Sequence, residues 1–332
     1  MNYEVAIIIP TLNEERFISR CLDSIMNQSF VFEKMDIMVI DGGSRDRTEN
    51  IVRNYQKYYN NIRFLHNEKK IQSAAFNIGI KNSNAPYIIR LDAHAEYNIN
   101  YISLCLEKLH QDPSRGNVGG RCNILPANQS IWAKSNAILN HSRFGIGGAA
   151  FRVSNEPHNT DSVPFGAFPR KIVEEIGSMR EDLPRGEDNE YNSRIRKAGY
   201  EIYFDPNIIS TYYARPTLKT SCQQMFANGE SIGYLYYIDK EAIGIRHLIP
   251  LIFVTCAFIT ILASCFYHPF RYVLGGGVIV YFLADTIASI IATKDNKRCT
   301  LPLFILFICI HISYGIGTLK GLLFFLIKYN KK

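Results

Sequence analysis

The chain has no glycine-rich phosphate cradle. Neither Gly-x-Gly-x-x-Gly nor a Lys-bearing P-loop occurs in its 332 residues, so a diphosphate held by it would need a metal to offset the charge. Paired cysteine spacing is missing too: Cys21, Cys105, Cys122, Cys222, Cys256, Cys265, Cys299 and Cys309 are scattered, several of them in apolar runs. That argues against a zinc site or a disulfide framework and suits a reducing compartment. The first two thirds of the chain lack a basic excess, since positive and negative side chains nearly balance over residues 1–216. Nucleic-acid binding, which calls for a basic patch among aromatics, is therefore not expected. No secretory signal precedes the first strand, because Met1-Asn2-Tyr3-Glu4 leads straight into Val5-Ala6-Ile7-Ile8-Ile9, and the soluble part is expected in the cytoplasm.

What the chain does have is two compositions. Its length favours two domains and a sizeable core. Residues 1–216 read as a soluble α/β domain, whereas Leu248 to Tyr267 carries no charge, Tyr272 to Ala292 only Asp285, and Leu301 to Leu319 only His311. Each block matches a hydrocarbon core of about 30 Å, so three spans (248–267, 272–292 and 301–319) are expected in a membrane domain over 247–332. Residues 217–246, which mix Tyr234, Leu235, Tyr236 and Tyr237 with Lys240 and Arg246, read as an interfacial amphipathic segment. Nearly all of the net charge of +7 lies in this tail, as suits an anionic membrane face. Tyr267, Tyr272 and Tyr329 fit aromatic belts at the span ends.

Orientation signals conflict. Arg246, Lys294, Lys297 and Arg298 favour the cytoplasm, but a third full span would put Lys328, Lys331 and Lys332 outside unless the last segment re-enters. Asp285 is costly inside a bilayer; a polar contact with His311 or another helix accounts for it, and a functional role is the alternative.

In the soluble part, Val5 to Ile9 ends in Pro10 as a strand buried on both faces would. Arg16 to Gln28 has helical spacing, and Ile37 to Ile40 is a second strand, followed by the turn Asp41-Gly42-Gly43 and a helix from Ser44 to about Tyr58. Ile62 to Leu65, a short helix over Ile71 to Ile80, and the strand Tyr87 to Leu91 continue the alternation. Such alternation indicates a mostly parallel sheet with helices on both faces, and ligands of such sheets bind beyond the carboxyl ends of the strands. Past His110, Val118 to Arg121 reads as another strand and residues 123–162 as a long irregular insertion, in which Gly145 to Ala149 is an anion nest or a flexible acceptor-side loop. Val163 to Arg170 then opens a helix ending near Gly177.

Chemistry-bearing side chains collect at that edge. In Leu91-Asp92-Ala93-His94-Ala95 a carboxylate and an imidazole leave one strand end together and can meet a divalent cation, unless the stretch is only a solvated turn. Asp41 either shapes its Gly-Gly turn or binds, and Glu14 either faces a helix dipole or binds. In Arg185-Gly186-Glu187-Asp188-Asn189-Glu190 the macrodipole explains Glu190. It explains Glu187-Asp188 less well, and adjacent carboxylates raise each other's pKa, which suits a general base.

Taken in order, Ile8-Ile9-Pro10-Thr11-Leu12-Asn13-Glu14, Asp41-Gly42-Gly43-Ser44-Arg45-Asp46-Arg47-Thr48, Asp92-Ala93-His94, and Gly186-Glu187-Asp188 with Arg194 and Gly199-Tyr200 resemble the successive motifs of family 2 glycosyltransferases. Ile71-Gln72-Ser73-Ala74-Ala75-Phe76-Asn77-Ile78-Gly79 and His311-Ile312-Ser313-Tyr314-Gly315 resemble its succinoglycan-biosynthesis branch. The resemblance covers about residues 4–230. It implies a GT-A fold, a mostly parallel sheet flanked by helices, here followed by a C-terminal transmembrane region, and an inverting transfer from a nucleotide-diphosphate sugar.

Carried over by motif, Pro10, Thr11, Glu14 and Asp41 would hold the nucleoside, with Asp41 reading the base, and Gln72, Asn77 and Glu187 would join the donor site. Asp92 would sit at the ribose and metal, with His94 in place of the second Asp of Asp-x-Asp, and Asp188 would be the catalytic base. Gly166, Arg194 and Gln224 are further candidates, on the acceptor side or for other contacts. Gln224-Met225-Phe226-Ala227-Asn228-Gly229 departs from the family's Gln-x-x-Arg segment, which removes a cationic aid to the leaving group. The imidazole of His94 carries one negative charge less than a carboxylate, so Mn²⁺ is expected over Mg²⁺, with activity falling as His94 protonates. The expected whole is a multi-pass cell-membrane enzyme of cell-surface or exopolysaccharide synthesis. Its catalytic domain is cytoplasmic and it extends a lipid-linked saccharide, with a polysaccharide-assembly complex as partner. A non-catalytic nucleotide-sugar-binding scaffold of such a complex is the alternative; a polymer-exporting synthase has little room in three spans.

Overall fold

The computed structural model describes residues 2–183 and 185–329, which divide between two compact units: residues 1–123 with 150–212, and residues 124–149 with 213–332. The stretch read as a single insertion, residues 123–162, is shared between the units. Lys331 and Lys332 lie outside the described residues, as does the side chain of Lys328.

In the first unit β1 (Val5–Thr11), α1 (Ile18–Met26), β2 (Met35–Asp41), α2 (Thr48–Gln56), β3 (Ile62–His66), α3 (Gln72–Asn82) and β4 (Tyr87–Arg90) alternate as the apolar pattern requires. Val5 to Ile9 and all of β2 are buried on both faces, as befits central strands covered by helices. The helix α1 buries Ile18, Cys21, Leu22 and Ile25, one face at helical spacing.

Beyond β4 the chain adds β5 (Ala95–Tyr97), α4 (Tyr101–Gln111), β6 (Arg115–Pro126), α5 (Ile131–Leu139), α6 (Arg143–Ile146), α7 (Ala150–Val153), β7 (His158–Asn159), β8 (Ala167–Pro169), α8 (Arg170–Ile176), α9 (Glu187–Lys197) and β9 (Glu201–Ala214). The strand order is β3-β2-β1-β4-β8-β6-β9-β5, with β7 beside β9. Strands β1 to β4 pair in parallel, while β8 is antiparallel to both β4 and β6, and β5 and β7 are antiparallel to β9. The sheet is therefore mixed, its parallel half being the part whose apolar runs stand out in sequence. The order reverses at β1: the chain moves outward to β2 and β3, then returns to β4 on β1's other side. A crevice opens at such a switch point, between the loops that follow β1 and β4.

The second unit contains α5, α6, α10 (Leu218–Ile238), α11 (Ile245–Phe266), α12 (Pro269–Ala292) and α13 (Thr300–Tyr329). The last three helices are each long and apolar enough to cross a membrane. Leu139, Leu303, Leu306, Phe307 and Ile310 form its core, with Trp132, Phe144, Leu218, Met225, Ala288 and Ala292 packed round them. The stretch read as irregular thus holds a true helix, α5, whose N-cap Ser130 accepts a hydrogen bond from the Ala133 N–H at 3.2 Å. Of the loop expected over Gly145 to Ala149, Gly145 and Ile146 end the short helix Arg143–Ile146, which Gly147 closes at φ 74°, and Gly147 to Ala149 are irregular. Asp285 does not meet His311: its Oδ1 accepts from Ser289 at 3.1 Å, and His311 bonds the Tyr281 hydroxyl at 2.9 Å and the Phe144 carbonyl at 2.8 Å.

Helix α3 lies directly on β1 because residue 79 is glycine: a Cβ there would fall 2.5 Å from Cδ1 and Cγ1 of Ile8. Gly79→Ala should destabilise the unit by about 1–3 kcal/mol through overpacking. Adding Ile8→Val, which removes the clashing Cδ1, should recover part of that loss in denaturant melts. Strictly additive losses would show that the contact does not set the helix position.

Candidate active site

Parallel register sets Thr11 beside Asp41 at the carboxyl ends of β1 and β2, and the Leu91 N–H donates to the Ile8 carbonyl at 2.9 Å just past β4. All three strands therefore deliver their following loops to one edge. Pro10 and Thr11 close β1, and the Thr11 hydroxyl donates back to the Ile9 carbonyl at 3.0 Å. The loops after β1 and β2 are laced together: the Asn13 N–H donates to Ser44 Oγ at 2.7 Å, Glu14 N–H to Thr48 Oγ1 at 2.8 Å, and Glu15 N–H to Asp46 Oδ2 at 3.1 Å. Burial opposes ionisation of Asp46, yet the hydroxyl and N–H of Thr48 and the Glu15 N–H hold its carboxyl below the ordinary value.

Asp41 is buried and does shape its turn. Its Oδ2 accepts the Gly43 and Ser44 N–H groups, each at 2.8 Å, and its Oδ1 accepts the Ser44 hydroxyl at 2.5 Å. Three donors leave one of the four lone-pair sites of a carboxylate for a ligand.

The stretch after β4 is braced from within. The Asp92 N–H donates to the Tyr97 hydroxyl at 2.8 Å, and that hydroxyl donates to the Asp92 carbonyl at 3.1 Å. Nδ1 of His94 lies 2.9 Å from Glu14 Oε1, and the imidazole packs edge-on against Tyr212 with centroids 5.2 Å apart. A proton on Nδ1 satisfies Glu14 and leaves the ring's lone pair on Nε2, the carboxylate–imidazole relation found behind metal-ligating histidines. The Asp92 carboxylate is held by Arg90 at 3.2 Å; with His94 it makes up an N/O donor set of the kind a divalent cation takes. Among the described residues no three His, Cys, Asp or Glu side chains converge on one point. A cation here would thus draw its other donors from phosphates and water.

Arg90, which the sequence reading passed over, joins the two halves of the site. Its Nη2 lies 2.7 Å from Gln72 Oε1, 3.2 Å from Asp92 Oδ1 and 4.0 Å from Glu187 Oε1. Burial by itself would lower the arginine's pKa, but Asp92, Glu187 and Asp188 together hold it above the ordinary value. The signal for it was present: a single cation in the apolar run Tyr87-Ile88-Ile89-Arg90-Leu91 implies carboxylates nearby.

Helix α9 begins at Glu187, after Gly186 in the left-handed region at φ 80°. Glu187 is buried and its carboxyl is pushed up, by desolvation first and by the charge of Asp188 second, against the pull of Arg90. Asp188 is half-buried and caps locally, its Oδ1 accepting the Asn189 N–H at 2.9 Å. Beside it lies a cavity of about 30 Å³ lined by Arg90, Asn117, Gly166, Asp188 and Asn192 among others. That volume holds a water rather than a sugar. Asn117 Oδ1 and Arg90 Nε are buried there without a hydrogen-bond partner. Gly166 packs against this wall: a Cβ would come 2.1 Å from Asn117 Oδ1.

Other expected residues are engaged elsewhere. The Asn77 amide donates to the Met179 carbonyl at 2.9 Å and to Glu181 at 2.8 Å, and its oxygen accepts the Met179 N–H at 2.9 Å, tying α3 to the loop before α9. Arg194 donates to the carbonyls of Ile176 and Ser178, both at 2.9 Å, and so caps the end of α8. Gln224 lies on α10, in the second unit.

A model of the family described as glycosyl transferase family 2 matches residues 6–177. The dolichyl N-acetyl-alpha-D-glucosaminyl phosphate 3-beta-D-2,3-diacetamido-2,3-dideoxy-beta-D-glucuronosyltransferase of Methanococcus voltae is 32% identical over 97% of this chain and 98% of its own length. The succinoglycan biosynthesis protein ExoA of Rhizobium meliloti is 28% identical over 77% of each chain. Among solved structures, the mannosyltransferase PcManGT from Pyrobaculum calidifontis, in complex with GDP-Man and Mn²⁺, shares the fold at a TM-score of 0.62 and 18% identity, over 95% of this chain and 87% of that one.

The raised Glu187 carboxyl gives a signed pH dependence. The native state keeps the Glu187 proton to higher pH than the unfolded chain does, so this residue's stabilising contribution is lost as pH rises through the carboxylate range and beyond. Glu187→Gln abolishes that loss: its melting temperature relative to wild type should become more favourable between about pH 4 and pH 7. A constant difference across the range would contradict the assignment.

Proposed function

We propose a specific reaction for this chain, which belongs to glycosyl transferase family 2: inverting transfer of a sugar from a nucleotide-diphosphate donor to a hydroxyl of a lipid-linked saccharide. The observation that carries it is the Arg90 bridge, 3.2 Å from Asp92 and 4.0 Å from Glu187. It brings one guanidinium to both Asp92 and Glu187, which supports a shared site for the pair after β4 and the acids at the start of α9.

The nucleoside lies over Pro10, Thr11 and Asp41, with the one lone-pair site of Asp41 outside its turn available to the base. Glu14 fixes the His94 ring, and Gln72 fixes Arg90. Asp92 and His94 would hold a divalent cation, which would supply Lewis-acid neutralisation of the diphosphate. With one imidazole in place of a carboxylate the pair suits Mn²⁺ better than Mg²⁺. Asp188 takes the proton of the acceptor hydroxyl as that oxygen attacks the anomeric carbon, and the nucleotide departs from the opposite face. Arg90 keeps the facing carboxylates of Asp92 and Glu187 from repelling across the cleft. Asn77 and Arg194 are assigned structural roles, because their donors are taken up by main-chain carbonyls and acids.

The name of the Methanococcus voltae relative specifies a dolichyl-phosphate-linked acceptor, which supports a lipid-linked acceptor here. The Mn²⁺ and GDP-Man held by the Pyrobaculum calidifontis neighbour support the cation and the donor class. The three apolar helices support membrane attachment, and Arg246, Lys294, Lys297 and Arg298 support a catalytic unit on the cytoplasmic face.

Asp188→Asn should leave donor affinity within a few-fold and lower transfer by about 10² to 10⁴; unchanged turnover would remove Asp188 as the base. His94→Asp, which restores two carboxylates, should move the metal preference from Mn²⁺ towards Mg²⁺ in transfer assays run with each ion. An unaltered ratio of the two rates would take His94 out of the metal site.

A further inference from the structure

The second unit shows that α13 is long enough to span a bilayer but is not placed to do so. Leu303, Leu306, Phe307 and Ile310 are buried to within 2% against α5 and α6. Helix α5 carries Lys134 and Asn136, with Asn140 at its C-cap, and Asn136 donates to Ser221 of α10 at 2.7 Å, which is no lining for hydrocarbon. One face of the first half of α13 therefore lies against protein, while Leu301 on another is exposed. The remainder, residues 311–329, rises about 28 Å, close to the hydrocarbon thickness, so its partners rather than its length decide its placement.

That remainder is paired with a polar helix. Cβ atoms at Gly229 and Gly317 would meet the Tyr314 and Phe226 carbonyls at 2.0 and 2.1 Å, and at Gly321 the Glu230 carbonyl at 2.2 Å. These contacts advance together along both chains, so α10 runs parallel to α13 in backbone contact. Lys320 pairs with Glu230 at 2.8 Å within this contact, and α10 also carries Gln223, Gln224 and Asn228. An ion pair and three amides beside it are costly at mid-bilayer and ordinary at its surface.

Helices α11 and α12 behave differently. They have 22 and 24 residues, and Phe253 and Tyr281 stack at 4.8 Å between them. Contacts with α13 run from the end near Arg246 and Lys294 to the middle of α12: a Cβ at Gly315 would meet the Pro250 carbonyl at 2.3 Å, Phe304 stacks on Phe282 at 5.6 Å, and His311 bonds the Tyr281 hydroxyl at 2.9 Å. Towards the other end Phe266 is 85% and Tyr272 74% exposed, and a Cβ at Gly275, Gly276 or Gly277 would meet nothing within 4 Å. Helix α13 thus crosses the half of the hairpin nearer Arg246 and Lys294 instead of running its full length.

We propose that the chain crosses the membrane twice, through α11 and α12, and that α10 with α13 forms a platform lying in the anionic headgroup region on the catalytic face. Two crossings also reconcile the charges: Arg246, Lys294, Lys297, Arg298 and Lys320 then share one face with the terminal Lys328, Lys331 and Lys332. The inference stands apart from the transfer chemistry, which the test does not read.

In full-length protein, an epitope inserted after His268 and another after Lys332 are probed in sealed right-side-out membrane vesicles before and after permeabilisation. The hairpin epitope should be reached at once and the C-terminal one only after permeabilisation. An antibody to the C-terminal peptide of the unaltered chain repeats the second reading without an insertion and should give the same result. Both epitopes on the same side, whether through three crossings or none, would overturn the proposal, as would a C-terminus alone reached from outside.

Discussion

The Arg90 guanidinium sits where β4 ends, among Asp92, Glu187 and Asp188, with Gln72 on its Nη2. At an effective dielectric of about 20, two like charges 4 Å apart repel by about 4 kcal/mol. Arg90, a cation between Asp92 and Glu187, offsets that repulsion, and the surrounding elements hold it in place. The register of β1, β2 and β4 presents their loops together, Tyr97 fastens the Asp92 backbone, and the left-handed Gly186 starts α9 at the acid pair.

The parallel half of the sheet was legible because its strands are continuous apolar runs separated by amphipathic helices. Val5 to Ile9 and Ile37 to Ile40 could hardly be anything else. The antiparallel half was not, since β5, β7 and β8 contain two or three residues each and are held by their neighbours rather than by any period of their own. Helix α5 was hidden for a related reason: its buried positions include Ser135 and Asn136 beside Ala133, Ala137 and Leu139, so it shows no clean apolar stripe.

Site residues divided along similar lines. Side chains leaving strand ends, such as Asp41, Asp92 and His94, could be placed because a strand end has a known direction. Asn77 and Arg194 were placed by motif alone, and both turn out to tie main chain to main chain. Nothing in their own sequence surroundings distinguishes an amide that binds a ligand from one that fastens a loop. Arg90 was overlooked because it sits inside a strand, although it lies between Asp92 and Glu187.

The glycine-lined contact between α10 and α13 bears on how this chain can be handled. Residues 124–149 and α10 precede the apolar helices in sequence, yet Leu139, Leu218 and Met225 rest on side chains that arrive only after residue 300. Cutting the gene before α11 to obtain a soluble fragment would therefore expose a bare main-chain ridge on α10 and an oily face under α5. Such a fragment is built to aggregate, and a workable preparation has to keep the C-terminal helix and bring detergent with it.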